Sequence, residues 1–175
     1  MRRVVGIGAA LLAIPLFFSL FLSSNKHEGA LSTSRPAVKI VESPPGLLSD
    51  IPRGANTALV KYIDALTLGL HTGSDVAIRE VTNVGCECRV IGESFQAIYT
   101  KANLVGGSYS LKQSTVIHKS ASEVELKVVI HMTNTTHILR KTGKSEIWKG
   151  ADIPAYFTIV NRGGRWLINR TSVLP

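Results

Sequence analysis

Cysteine is nearly absent from this 175-residue chain, Cys86 and Cys88 being the only two. Neither stands directly after the apolar run near the amino end, so lipid attachment to a cysteine at a processing site there is excluded. A metal centre needs more ligands than one such pair supplies. There is no serine-nucleophile motif, and without one the five histidines do not make a catalytic triad. Acidic residues are also few, 12 Asp and Glu against 20 Lys and Arg, for a net charge of +8. Aromatics make up 6% of the chain and are not interleaved with the basic residues, which argues against a nucleic-acid platform. No internal repeat or low-complexity tract occurs.

What the chain does have begins at its amino end. Arg2 and Arg3 precede an uncharged run from Val4 to Leu22, about long enough as a helix to cross the hydrocarbon core of a bilayer. A basic end before such a run reads as an export signal, cleaved or retained. Leu22-Ser23-Ser24 and Phe21-Leu22-Ser23 each put a bulky residue where a cleavage site wants a small one. The expectation is therefore a retained signal-anchor over 1–22, a single-pass transmembrane helix with the carboxy-terminal part outside the cytoplasm.

Residues 23–54 change in composition, with Pro36, Pro44, Pro45 and Pro52 breaking any helix, and read as a flexible stalk. An extension ordered against the domain is the alternative for Ala37 to Glu42. Residues 55–175 are the size of one domain. Leu59, Ile63, Leu66 and Leu70 recur at helical spacing, and Gly73 suits the left-handed residue that ends such a helix. Ser74 or Asp75 can cap a short second helix carrying Val76, Ile78 and Val81. Ile91, Phe95, Ile98 and Ala102 mark a third, weakened by Gly92.

After Gly106-Gly107 the period becomes two. Val124, Leu126, Val128, Ile130 and Met132 alternate with mostly polar residues, as in a strand with one buried face. Tyr109–His118, Thr136–Arg140, Glu146–Trp148, Ala155–Val160 and Trp166–Thr171 are further strands, the last two joined through Asn161-Arg162-Gly163-Gly164-Arg165. Helices followed by antiparallel strands predict an α+β domain with the helices packed on one face of a curved sheet.

This order, with the opening helix Asn56–Leu70 and the closing hairpin Phe157-Thr158-Ile159-Val160…Gly164-Arg165-Trp166-Leu167-Ile168, resembles the NTF2-like (cystatin-like) cone. More narrowly, Tyr62-Ile63-Asp64-Ala65-Leu66…Thr72-Gly73-Ser74…Cys86-Glu87-Cys88…Gly106-Gly107 is similar to uncharacterised exported actinobacterial proteins with a close cysteine pair. The resemblance implies a fold and an exported location, but no reaction. Folds of this type often enclose a pocket between helices and sheet, and for that pocket Tyr62 and Asp64 are the candidates, although Asp64 lies off the centre of the Leu59/Ile63/Leu66/Leu70 stripe, which favours a solvated or capping role for it.

Outside the cytoplasm Cys86 and Cys88 most simply pair as a disulfide staple, the segment turning at Gly85. A redox-active pair and a metal site completed by His71, His118, His131 or His137 are the alternatives. From Lys101 onward eleven basic residues face four acidic ones, and Arg140, Lys141, Lys144, Lys149, Arg162, Arg165 and Arg170 fall near predicted turns. A basic sheet tip of this kind suits anionic lipid or cell-wall polymer, or it is a solubilising surface. Asn134-Thr135-Thr136 and Asn169-Arg170-Thr171 match the glycosylation sequon, which matters only in a eukaryotic secretory route.

The sequence thus points to a membrane-anchored extracytoplasmic binding or scaffold module of the cell envelope, non-enzymatic, with no catalytic residue, cofactor or metal assigned. Its expected partners are the membrane through the amino-terminal helix, then anionic lipid, wall polymer or another envelope protein, and no nucleic acid. The rivals are an NTF2-like enzyme acting on a small apolar or lipidic molecule and a redox protein using Cys86/Cys88.

Overall fold

The computed structural model describes residues 51–174. The expected anchor over 1–22 and the stalk up to residue 50 lie outside the described residues. Among the described residues no helix is long and apolar enough to cross a membrane.

Helix α1 spans Arg53–Thr72 and buries Leu59, Ile63, Leu66 and Leu70, the stripe its spacing predicts. It starts earlier than that stripe. Pro52 stands at the amino cap, where a fixed φ helps a helix begin, and Asn56 N–H donates to its carbonyl. Ile51, assigned to the stalk, is 7% exposed and part of the core, so the domain begins at least four residues before the expected boundary at 55. At the far end Gly73 adopts φ +70° and donates to the Gly69 carbonyl at 2.8 Å.

Helix α2 is Val76–Val81. Ile78 is fully buried and Val81 packs on the core, but Val76 faces solvent. The Asp75 side chain does not cap this helix. It pairs with Arg79 and accepts from Gln96 Nε2 at 2.7 Å, while Ser74 Oγ accepts the Val76 N–H. A 3₁₀ turn at Glu87–Arg89 leads into α3, Val90–Tyr99, which buries Phe95 and rests Ile91 and Ile98 on the core. Ala102, expected to continue that helix, instead opens β1 (Ala102–Gly106). Gly92 is where α3 touches the segment before α2: a Cβ there would lie 2.5 Å from Asp75 Cβ.

Six further strands follow: β2 Tyr109–Lys119, β3 Glu123–Met132, β4 Thr135–Leu139, β5 Ser145–Trp148, β6 Ala151–Arg162 and β7 Arg165–Val173. All pair antiparallel, but in two sheets rather than the one expected, β2-β3-β6-β7 and β1-β4-β5. The chain passes from one to the other between Met132 and Thr135. There Gly150 crosses so close to the Met132 carbonyl that a side chain would not fit. Bulges in β2 and between Thr158 and Ile159 bend the larger sheet. In β3 Val124, Leu126 and Val128 have no exposed surface, Lys127 faces water, and Met132 is half-buried at the end. The β6–β7 turn carries Gly163 and Gly164 at φ +60° and +85°, the two positive values a two-residue hairpin loop of this twist requires. The α1 stripe and the β3 stripe belong to one hydrophobic core.

Candidate functional site

The space between α1 and the larger sheet is filled. Leu59, Val124, Leu126, Val128, Ile159 and Ile168 are wholly or almost wholly buried in it. Tyr62, a candidate for lining a pocket there, is itself a core residue. Its ring meets Phe157 edge-on at 5.7 Å, and its hydroxyl donates a long hydrogen bond, 3.5 Å, to the Cys88 carbonyl. Burial raises its phenol well above the ordinary range, because the ionised form has no solvent to stabilise it. Half-buried Tyr109, at the start of β2, is pushed up to about 12 for the same reason.

Asp64 points the other way, and the two candidates are not brought together. It lines a groove of about 700 Å³ on the outer side of α1, shared with α2 and the β6–β7 turn. Arg53, Lys61, Asp64, Glu80 and Arg165 supply its charge, and Leu68 and Trp166 much of its apolar surface. Gly54 lets the Trp166 ring lie against the α1 backbone, and Arg165 reaches across to the Glu80 carbonyl. Partial burial raises the Asp64 carboxyl. Asp64 shares this groove with Glu80, Lys61, Arg53 and Arg165, and neither histidine nor tyrosine lines it. The sequence reading missed the groove. Its one signal in the sequence is Trp166, directly after a tight turn and within a strand pattern.

Cys86 and Cys88 are joined as a disulfide, each about 95% buried. Gly85 has an ordinary φ, and the reversal comes instead from the 3₁₀ turn. The preceding segment is tied to β7, where Asn83 N–H donates to the Ile168 carbonyl and Asn83 Nδ2 to Asn169 Oδ1. Arg89 holds the carbonyls of Arg79 and Thr82 and the Thr82 hydroxyl. A buried pair within such a clamp is a staple rather than an accessible thiol couple, which needs solvent and an attacking partner.

The basic residues do not form one tip. Arg162 and Arg165 flank the β6–β7 turn beside the amino end of α1, where Trp166 meets Gly54. Arg140, Lys141 and Lys144 lie at the β4–β5 turn, beyond its carboxyl end. There Arg140 N–H donates to the Lys101 carbonyl, and Tyr99 hydrogen-bonds the Leu70 carbonyl. About 30 Å of helix separates the two groups, which the sequence could not show because both are simply turns.

Among the described residues the histidines stay apart. His71 bonds the Gly107 carbonyl, and His137 stacks on Trp148 at 4.6 Å. His131 Nδ1 meets Asp152 Oδ1 at 2.7 Å on the outer face of the larger sheet, where Lys112 binds the other oxygen. Those two partners hold the exposed Asp152 carboxyl below its usual range. No group of three or more His, Cys, Asp and Glu fit to hold a metal occurs among the described residues.

No protein-family model matches the sequence, and no curated protein is significantly similar to it. Solved structures are similar in fold. The intermembrane space region of the chloroplast protein ARC6 superposes with a TM-score of 0.51 at 14% identity, over 70% of this chain and 95% of its own. A ketosteroid isomerase-like protein from Erwinia carotovora atroseptica gives 0.46 at 15% identity, over 70% and 95%. An NTF2-like superfamily protein from Salmonella enterica gives 0.46 at 8% identity, over 67% and 85%. With helices before strands and α1 packed across a bent antiparallel sheet, the fold is NTF2-like. Identity this low carries fold alone. The same cone serves enzymes and non-enzymes, so the site has to supply the function.

Proposed function

We propose that this chain is a membrane-tethered, extracytoplasmic binding module of the cell envelope with no catalytic activity of its own. The observation that carries the reading is the filled interior. Core side chains occupy the place where a cone of this type would hold a small substrate, and the Tyr62 hydroxyl is held inside the core by the Cys88 carbonyl and the Thr171 side chain. The external groove lies outside this core and sets Asp64 and Glu80 among Arg53, Lys61 and Arg165. Both features favour a domain that presents surfaces over one that encloses a reaction. The apolar run at Val4–Leu22 behind Arg2 and Arg3 supports the tether and the outward orientation.

Two measurements test this. Protease added to intact cells should remove the domain and leave a short membrane fragment. A soluble form starting near Asn25 would overturn the tether. Titrating the domain with the neutral apolar fluorophore N-phenylnaphthylamine should give no saturable rise in emission. Saturable binding displaced by a small apolar molecule would reopen the enzyme reading.

A further inference from the structure

The smaller sheet has one face against the core and one bare. Opposed residues of antiparallel strands share a face, so the registers sort its side chains. Ala102, Leu104 and Thr135 are buried on the inner face, which also takes His137 and the opposed Glu146. The outer face carries the rows Val105–Thr136–Ile147 and Asn103–Ile138–Ser145. Val105 is 47% and Ile147 62% exposed, so this aliphatic surface meets water. No carboxylate stands on it. Arg140 Nε donates to Asn103 Oδ1 at its rim, Lys141 and Lys144 occupy the adjoining turn, and exposed Lys149 follows β5 at the opposite end. None of these lysines is in an ion pair with a carboxylate among the described residues.

We propose that the outer face of β1-β4-β5 docks on an anionic phospholipid surface. The inference rests on the tethered reading above, which brings a bilayer within reach. A bilayer boundary presents phosphate charge and hydrocarbon together, and it suits a flat face bearing aliphatic groups inside a basic rim. An acidic peptide would find no cleft there and, along β5, only a four-residue edge.

The full chain is placed in nanodiscs of phosphatidylcholine, with or without phosphatidylglycerol, both containing doxyl-labelled lipid. A bimane on Ser145→Cys reports the proposed face, and one on Lys127→Cys the outer face of the larger sheet. Lipid quenching at 145, stronger with phosphatidylglycerol and absent at 127, is the expected result. Each basic residue near an anionic leaflet is worth roughly fivefold, so removing Lys141 and Lys144 by charge reversal should lower docking at least ~25-fold. Ile147→Ser with Val105→Ser should weaken it while leaving the charges intact. Equal quenching in both lipids, or equal quenching at both positions, would overturn the proposal. So would a bimane response to soluble polyglutamate with none to phosphatidylglycerol, which would assign the face to an acidic peptide. Failure of the tether shows separately, as a chain that neutral discs do not retain. Capture by anionic discs alone then still supports the face, and no capture overturns it.

Discussion

Gly92 sets two ordinary effects against each other, and the structure decides between them. Glycine inside a helix costs about 1 kcal/mol relative to alanine, so local propensity alone predicts that Gly92→Ala stabilises α3. The added methyl, however, would sit 2.5 Å from Asp75 Cβ and 3.3 Å from both Asp75 Cα and Ile78 Cδ1. Neither neighbour can give way cheaply. Asp75 is 4% exposed and held by Arg79 and Gln96, and Ile78 is fully buried. Overpacking of this kind costs about 1–3 kcal/mol, and relief here would need backbone movement between α2 and α3. The 2.5 Å approach puts that cost in the upper part of its range, about 2–3 kcal/mol, so the net expectation is destabilisation by about 1–2 kcal/mol once the propensity gain of about 1 kcal/mol is subtracted. In a domain of this size that is roughly a 4–8 °C fall in melting temperature. Gly85→Ala is the control. Nothing lies within 4 Å of its added Cβ and its φ is ordinary, so it should be neutral or stabilising by up to about 1 kcal/mol. Urea melts of both variants give the comparison. Gly92→Ala as stable as the parent would refute the close packing of α3 on Asp75.

Three further outcomes follow from the core. Val128→Asp strands a charge at a fully buried position and should unfold the domain, whereas Lys127→Asp, one residue along on the outer face, should shift the melt little; the reverse order would mean the β3 register is wrong. The phenol of Tyr109 is raised to about 12 and that of Tyr62 further, so both stay neutral in the fold after the unfolded chain begins to ionise near the ordinary phenol value of 10.0. Stability from these groups is complete below that pH and falls as pH rises from 10 toward and past 12, a decline that Tyr109→Phe should flatten in urea melts taken across that range. Non-reducing mass spectrometry of the full-length protein should show the two-hydrogen loss of the Cys86–Cys88 bond. Because that ring is so small, Cys86→Ser with Cys88→Ser should cost only about 1.5 kcal/mol of chain entropy, and wholesale unfolding would show that the bond does more than close a short loop.

The parts of this fold that could be read in the sequence are those whose pattern is local. Val124 to Met132 alternates, and Leu59 to Leu70 repeats at three and four. Each pattern fixes a face whatever lies opposite, and both faces are buried where expected. What could not be read depends on a partner distant in the chain. Ala102 continues the helical spacing of Ile91, Phe95 and Ile98, and only its pairing in β1 with Leu139 of β4, 37 residues on, turns it into strand. Ile51 stands before a proline and looks like linker until the core is assembled around it. The candidate site suffers most from this limit. That Asp64 lies about 200° around the helix from Tyr62 is local, but the groove it faces is built by α2 and the β6–β7 turn, which the helix pattern does not show. The basic turns look alike in sequence because charge near a turn says nothing of which end of α1 that turn meets. Gly92 joins these cases. Its helix propensity is a local property and reads as a defect, yet the reason for a glycine there is Asp75, in contact only once α2 and α3 have packed. A mutation that improves the local pattern should therefore weaken this protein wherever the pattern was broken to let two elements meet.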